Sequence, residues 1–232
     1  MKPAPFEYHR PASLAETFDL LDRYGDDGRI LAGGQSLVPT LNMRLVTPRA
    51  VIDINRLPGL DAIRATPEGL EIGALVRQEA LERSALVTEH ASLIASAIPH
   101  VGHAAIRTRG TVGGSLALAD PAAELPACAV ALEATIRVTG RRGGRDIAAA
   151  DFFRGIYTTA LEPGRSSPRS RCRARRPDGA GGSRSWRAVT ATSRSRAWPR
   201  VCASSARRLP RLGSCSSASA RSPSAPGPPR PR

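Results

Sequence analysis

The sequence predicts an α+β fold over residues 1–164, followed by a disordered tail over residues 165–232. Short β-branched segments alternate with amphipathic helical segments in the first part, and paired glycines mark two of the turns. The tail holds 17 Arg and 15 Ser, with two Leu and two Val as its only aliphatic residues larger than Ala. Such a segment cannot bury enough apolar surface to offset the conformational entropy of folding. We therefore expect the regular structure to lie in residues 1–164.

The formal net charge of +14 comes entirely from the tail. Residues 1–164 carry 17 basic and 19 acidic side chains, whereas the tail carries 17 Arg against Asp178 alone. A basic tail that neutralises phosphates would bind nucleic acid in a salt-dependent way, and this is one alternative function. The tail has no recognised nucleic-acid-binding motif and no interleaved aromatic pattern, so we expect no specific nucleic-acid partner.

The N-terminal elements are a capped helix and two short strands. Ser13 is a suitable N-cap for a helix over 14–24, with Glu16 as its capping-box partner and Gly25 as its end. The β-branched run at 50–54 predicts a buried strand. Between them we expect an apolar run at 29–32 and a helical turn at 41–44.

The following elements are a β-hairpin, helices and one more strand. Pro67, Glu68 and Gly69 read as a hairpin turn between two short β-prone runs. Four glycines between His100 and Ser115 predict that a loop dominates there. The expected elements are strands at 63–65 and 70–73, helices at 77–86 and 91–98, a helix near 122–131, a strand at 134–139 and a helical turn at 151–153.

Two paired-glycine motifs carry the candidate chemistry, AGGQSL at 32–37 and TVGGS at 111–115. Glycine lets backbone N–H groups approach an anion closely, and consecutive N–H groups in such turns form anion sites. A diphosphate cradle is one interpretation, and a pair of tight turns is the other. The sequence has neither the G-x-G-x-x-G fingerprint of a dinucleotide-binding Rossmann fold nor the Gly-Lys-Ser/Thr of a P-loop.

Three longer strings resemble one known family, the FAD-binding medium subunits of molybdenum hydroxylases, such as those of carbon monoxide and xanthine dehydrogenases. They are RILAGGQSLVPTLNMRLVTPRAVIDINRLPGL (29–60), HAAIRTRGTVGGSLALADPAAELPA (103–127) and DFFRGIYTTALEPG (151–164). The resemblance implies the PCMH-type FAD-binding fold with two subdomains, at about 1–57 and 58–164. The first would be a small parallel β/α unit, and the second a larger mixed or antiparallel sheet with helices.

The resemblance also implies which residues hold FAD. Both glycine loops would wrap its diphosphate, and hydroxyl groups there can donate to phosphate oxygens. Glu124 matches the acidic position that holds a ribose hydroxyl in the family, although it could equally be a solvated helix residue, and we read Asp120 as a helix-entry cap. Val101 and Leu161 match apolar positions near the flavin. The loop residues are Leu31, Ala32, Gly33, Gly34, Gln35, Ser36 and Leu37 in the first loop, and Thr111, Val112, Gly113, Gly114 and Ser115 in the second.

The function that the resemblance implies is electron transfer by an oxidoreductase subunit. FAD would pass electrons from iron–sulfur clusters of a partner to an acceptor, so no residue of this chain is expected to be catalytic. The molybdenum cofactor would belong to a large partner subunit and the 2Fe-2S clusters to a small one. We expect no metal here, because Cys128 is the only thiol of residues 1–164 and His100 and His103 lack a third ligand. Without a signal peptide or a transmembrane segment in the sequence, a cytoplasmic protein is expected.

The tail departs abruptly from the family pattern at Arg165. Family members continue there with a third domain, whereas this tail lacks residues with A/T-rich codons, as a GC-rich gene does when it is read out of frame. In a frame shifted by one base, Arg165–Arg173 can read ELAEVAVP and Ser185–Arg200 can read VARRHGDFALAGVAA, which resemble that third domain. We interpret residues 165–232 as a frameshift product. A truncated fragment that binds flavin without function is then a further alternative, with weak FAD retention and poor assembly.

Overall fold

The computed structural model describes residues 1–67 and 69–161, together with the backbone of residues 185–189. All of these residues belong to one compact unit, Met1–Trp198. Within it, two sheets have separate hydrophobic cores. We call the part around the first sheet the N-terminal lobe and the part around the second sheet the large lobe.

The N-terminal lobe is a three-stranded parallel sheet with the strand order β1-β3-β2. Its core contains Leu21, Ile52 and Ile54, together with Leu60 and Leu75 from beyond residue 57. The expected small parallel β/α subdomain is therefore confirmed. Its elements are β1 (Glu7–His9), α1 (Leu14–Tyr24), β2 (Gly28–Leu31), α2 (Leu37–Asn42) and β3 (Ala50–Asp53).

Helix α1 confirms the predicted start and end. The Ser13 hydroxyl oxygen accepts a hydrogen bond from the Glu16 N–H at 3.2 Å, and the Glu16 carboxylate accepts one from the Ala12 N–H at 2.8 Å. Gly25 ends the helix with a φ of 52°. Helix α2 begins at Leu37, four residues before the expected turn at 41–44.

The large lobe contains a five-stranded mixed sheet with the order β4-β5-β10-β6-β7. The outer pairs β4–β5 and β6–β7 are antiparallel, and β10 runs parallel to both of its neighbours. A separate two-stranded hairpin joins β8 and β9. The strands are β4 (Ile63–Thr66), β5 (Gly69–Ile72), β6 (Thr135–Gly140), β7 (Gly143–Ala148), β8 (Phe153–Gly155), β9 (Thr158–Thr159) and β10 (Ser185–Val189).

Among the described residues, seven short α-helices complete the large lobe, and their apolar side chains form its core with β5 and β6. Leu81, Ile94, Leu116 and Phe152 are among the side chains of this core that are almost fully buried. The helices are α3 (Gln78–Glu82), α4 (Ala85–His90), α5 (Ser92–Ala97), α6 (Ala104–Arg107), α7 (Val112–Leu118), α8 (Glu124–Ala131) and α9 (Ala149–Phe152).

Two expectations about these helices are wrong. The structure has three helices where two were expected, at 77–86 and 91–98. The Ser84 hydroxyl accepts a hydrogen bond from the Val87 N–H at 3.4 Å and begins the additional helix, α4. The loop expected at 100–115 contains α6 and the first residues of α7. Glycines 113 and 114 are tolerated in that helix because they occupy its first turn, which Thr111 caps.

Strand β10 lies in the segment that was expected to be disordered. Its backbone pairs with β5 on one side and with β6 on the other. This pairing needs backbone N–H and C=O groups rather than large apolar side chains, so composition did not predict it. Residues 165–184 and 190–232, on which the rest of that prediction falls, lie outside the described residues.

In the part of the chain that the structure describes, no helix combines the length and apolar character that crossing a bilayer requires. The same residues contain no cluster of three or more His, Cys, Asp or Glu side chains suited to a metal ion.

Candidate functional site

The two glycine loops meet at one cleft with a volume of about 300 Å³. This volume is at the lower end of the roughly 300–1,000 Å³ that is usual for cofactor sites. Ten of the predicted site residues line it, and they come from both lobes. They are Ala32, Gly33, Gly34, Gln35, Ser36, Leu37, Val101, Thr111, Gly114 and Ser115.

Gly33 brings the two loops into direct contact. A Cβ atom at this position would collide with the Arg109 carbonyl oxygen and would lie 3.0 Å from Gly110 Cα and 3.1 Å from the Thr111 nitrogen. Only glycine therefore lets the first loop approach the second this closely. The next residue, Gly34, has a φ of +73°, a conformation that favours glycine.

Asn55 and Arg77 connect the two loops behind this contact. The Asn55 side-chain N–H₂ donates to the Ala32 carbonyl oxygen at 2.8 Å, and Arg77 Nη2 donates to Asn55 Oδ1 at 2.8 Å. Arg77 Nη1 donates to the Arg109 carbonyl oxygen at 2.5 Å. Burial, followed by the nearby Arg109 charge, lowers the pKa of Arg77. We call this pair of side chains the loop connector.

Buried Asp53 anchors the loop connector. Its carboxylate accepts hydrogen bonds from the Tyr8 hydroxyl, from the Asn55 backbone N–H at 2.9 Å and from the Asn55 side chain at 2.6 Å. Burial raises the pKa of Asp53, but these hydrogen bonds and the Arg10 charge outweigh it and lower the pKa below the usual value of an aspartate. The ionised carboxylate therefore fixes the orientation of Asn55.

The backbone N–H groups of the two loops differ in their hydrogen bonding. In the second loop, Val112 and Gly113 donate to the Val76 and Ala74 carbonyl oxygens at 3.1 and 2.9 Å, and Gly114 donates to Thr111 Oγ1 at 3.2 Å. Within the described residues, no hydrogen-bond acceptor is found for the N–H groups of residues 33–36 of the first loop. Four consecutive N–H groups in a glycine turn suit an anion such as a phosphate.

Polar and apolar side chains line different parts of the cleft. Ser36 makes no capping hydrogen bond to α2, so its hydroxyl is available to a ligand. Val101, Ile106, Ala117 and Leu118 supply apolar surface. A cleft with an anion-binding loop and an apolar wall fits a dinucleotide that joins a diphosphate to flat rings.

One cation and one carboxylate also lie at the cleft. Arg29 lines it, and burial lowers the pKa of its guanidinium. Asp120 accepts from the Ala122 N–H at 2.9 Å just before α8, whose N-cap residue is Ala123, and Asp120 also lines the cleft. Burial raises the pKa of Tyr157, and the Asp120 charge raises it further.

Five predicted residues are outside the cleft lining. Val112 is buried in the first turn of α7 together with Gly113. Glu124 begins α8, and Leu161 packs against the core of the large lobe. Leu31 ends β2 immediately before the lining begins at Ala32.

Eleven further residues, which the motifs did not identify, line the cleft. Gly110 directly precedes the TVGGS motif, and Arg29 and Ile30 lie three and two residues before AGGQSL, so their position in the sequence is a usable signal. Thr40, Ala117 and Leu118 lie in the helices that contain the ends of the two motifs, whereas Gln78 lies outside all three longer strings and has no local pattern that marks it. The full set is Arg29, Ile30, Thr40, Val46, Gln78, Ile106, Gly110, Ala117, Leu118, Asp120 and Ala123.

Comparison with known proteins agrees with this geometry. The model of the family described as the FAD binding domain in molybdopterin dehydrogenase matches residues 4–165, which include both glycine loops. The chain belongs to this family. The resemblance seen in the sequence is therefore confirmed.

Individual relatives of this FAD-binding domain are subunits of dehydrogenases. The chain is 41% identical over 164 residues to the 6-hydroxypseudooxynicotine dehydrogenase complex subunit alpha of Paenarthrobacter nicotinovorans, a match that covers 71% of this chain and 55% of the relative. It is 39% identical over 164 residues to the carbon monoxide dehydrogenase medium chain of Afipia carboxidovorans, covering 71% and 57%. The chain thus spans a little over half the length of these curated relatives.

Solved structures share the fold of this FAD-binding domain. The reconstituted CO dehydrogenase from Oligotropha carboxidovorans superposes with a TM-score of 0.68 at 39% identity, covering 71% of this chain and 58% of that chain. Quinoline 2-oxidoreductase from Pseudomonas putida 86 gives a TM-score of 0.68 at 31% identity, covering 80% and 77%. The expected PCMH-type fold is confirmed.

Proposed function

We propose that this chain is the FAD-binding subunit of a molybdenum hydroxylase of the carbon monoxide dehydrogenase type. When bound, FAD supplies the redox chemistry, taking electrons from iron–sulfur clusters of a partner and passing them to an acceptor. The partners are a large molybdenum-binding subunit and a small iron–sulfur subunit. The relatives support this proposal, because they include dehydrogenase medium chains and a subunit of a dehydrogenase complex.

The first glycine loop is the observation that supports FAD binding most directly. Its four N–H groups at residues 33–36 have no acceptor in the described part of the chain, and they border a cleft with an apolar wall. They would donate to the diphosphate, assisted by the hydroxyl groups of Ser36 and Ser115. Val101 and Ile106 would contact a ring. The protein thus binds and orients FAD without an acid, a base or a nucleophile of its own.

Titration of the purified full-length chain with FAD tests this proposal. We expect a yellow protein with the visible absorption of oxidised flavin, and the FAD-free chain should bind added FAD with quenching or enhancement of flavin fluorescence. A colourless chain that does not bind added FAD would contradict the proposal.

A matched pair of substitutions makes the test specific for the first loop. Gly34 and Gly59 both have a φ of +73°, so Gly34→Asp and Gly59→Asp introduce the same carboxylate under similar backbone strain. Gly34 lines the cleft, and its Cβ would lie 3.1 Å from both Leu31 Cδ1 and Val38 Cγ2, so the substitution there adds crowding as well as charge. Gly59 has no neighbouring atom within 4 Å of its Cβ position. We expect Gly34→Asp to abolish FAD binding by repelling the diphosphate, and Gly59→Asp to retain it. Equal affinity in the two variants would contradict a phosphate site at the first loop.

We further propose that residues 165–232 are translated out of frame. The composition change at residue 165 supports this. Resequencing the gene from its source provides the test. We expect an in-frame continuation of the family's third domain one base away, and a gene without that continuation would refute the proposal.

A further inference from the structure

Gln78 lines the cleft, although no sequence motif identifies it. It is the first residue of α3, and its side chain is only 5% exposed. Its backbone N–H donates to the Gly110 carbonyl oxygen at 2.9 Å, which fixes α3 beside the second glycine loop. The position of Gln78 is therefore set by the same backbone that shapes the cleft.

The side-chain oxygen of Gln78 is buried without a hydrogen bond. In the described part of the chain it is the only buried side-chain nitrogen or oxygen atom that lacks a partner. It packs against Gly110, where a Cβ atom would collide with both Oε1 and Cδ. An unpaired buried acceptor costs about 1–3 kcal/mol, so an apolar side chain of similar size would serve folding better here. Folding alone does not account for a glutamine at this position.

A carboxamide has a second polar end that the cleft can use. Glutamine combines one acceptor oxygen with a nitrogen that donates two hydrogen bonds. Because the oxygen is held against Gly110, the nitrogen is the end available to a ligand. The diphosphate oxygens, the flavin carbonyl oxygens and the ring nitrogens of FAD are all acceptors.

We infer that the Gln78 side chain is a further FAD-binding group, with its nitrogen donating a hydrogen bond to an acceptor atom of the bound dinucleotide. This inference rests on the proposed function, since it requires FAD in the cleft. Gln78 acts in binding only and takes no part in electron transfer.

Two substitutions at Gln78 test the inference in the full-length chain. Gln78→Met is unbranched and of similar length but removes both polar ends, so we expect the Kd for FAD to rise about tenfold. The Tm of the FAD-free chain should stay equal or rise, because the unpaired oxygen is gone. Gln78→Glu keeps an oxygen but loses the donor and adds a charge, and should weaken FAD binding more than Gln78→Met. Glu79→Met, one residue along and outside the cleft lining, is the matched control and should bind FAD like the wild type.

The outcomes separate this inference from the proposed function. Wild-type affinity in Gln78→Met, or in Gln78→Glu, would overturn it. A lower Tm of FAD-free Gln78→Met with unchanged FAD affinity would also overturn it, by showing a purely structural role. If the wild-type chain itself does not bind FAD, the proposed function fails and the inference fails with it. Titrations with ADP and with FMN would locate the acceptor, because only the half of FAD that contacts Gln78 should bind more weakly to Gln78→Met.

Discussion

Substituting Gly33 by alanine should separate the two glycine loops. The new Cβ would lie too close to the Arg109 carbonyl oxygen, and real Cβ atoms essentially never come closer than 3.0 Å to such an atom. The second loop must therefore retreat by roughly half an ångström, an overpacking that costs about 1–3 kcal/mol. For a chain of this size each 1 kcal/mol lowers the Tm by about 2–4 °C, so we expect a fall of about 2–12 °C. FAD affinity should fall at least about tenfold, because the groups on the two loops no longer fit one ligand.

Thermal melts of the FAD-free chain and FAD titrations check this prediction. Gly144→Ala is the matched control, since its Cβ would come no closer than 3.4 Å to any of its neighbours, the Thr139 hydroxyl being the nearest, which is an ordinary contact. It should leave both the Tm and the Kd for FAD close to wild type. If Gly33→Ala matches Gly144→Ala in both measurements, the close approach of the loops is not what shapes the cleft.

Three further predictions follow from the contacts around the cleft and at α1. In the loop connector, the effects of Asn55→Ala and Arg77→Ala on the Kd for FAD should not be additive. A double-mutant cycle should give a coupling free energy of about 0.5–3 kcal/mol, and additive effects would contradict the connection. The hydrogen bonds to Asp53 lower its pKa in the folded chain, so its stabilisation is complete above its unfolded-state pKa and is lost as the pH falls through the lower folded-state value. The Tm of Asp53→Asn should therefore lie furthest below the wild-type Tm at about pH 7, and this difference in Tm should narrow below about pH 4. A Tm difference that does not change with pH would refute the role of the charge. Ser13→Ala removes the cap of α1 and should lower the free energy of unfolding by about 1 kcal/mol in thermal melts, whereas an unchanged Tm would show that the cap contributes nothing.

Local sequence signals predicted the elements whose cause is local. Ser13, Glu16 and Gly25 mark both ends of α1, and their hydrogen bonds are made within a few residues. The β-branched run at 50–54 predicted β3 because every residue of that strand is buried. In both cases the same residues carry the signal and make the stabilising contacts.

Elements that are stabilised by residues outside their own range were missed. Strand β7 is mostly exposed and rich in glycine and charge, and its pairing with β6 holds it in place, including the Arg137–Asp146 ion pair at 2.6 Å. Helix α7 was missed because its glycines predict a loop, and its capping by Thr111 outweighs their low propensity.

In the candidate site, too, residues with a signal in their own sequence were identified, and residues that depend on distant partners were not. The glycine loops were identified by their own sequence motifs and by the family resemblance. Gln78 and Asn55 were not, because each acts through residues more than 20 positions away: Gly110 for Gln78, and Ala32 and Arg77 for Asn55. A single sequence does not reveal such pairs.

The two glycine loops differ in how much of their backbone hydrogen bonding the protein itself supplies. The second loop satisfies its own amides during folding, so its shape is complete before any cofactor arrives. Within the described residues, the first loop leaves the amides of residues 33–36 without an acceptor, and under the proposed function a bound anion would complete it. The polypeptide can thus fold before the cofactor binds. Because an anion that binds only the folded chain also stabilises it, bound FAD should raise the fraction of the chain that is folded.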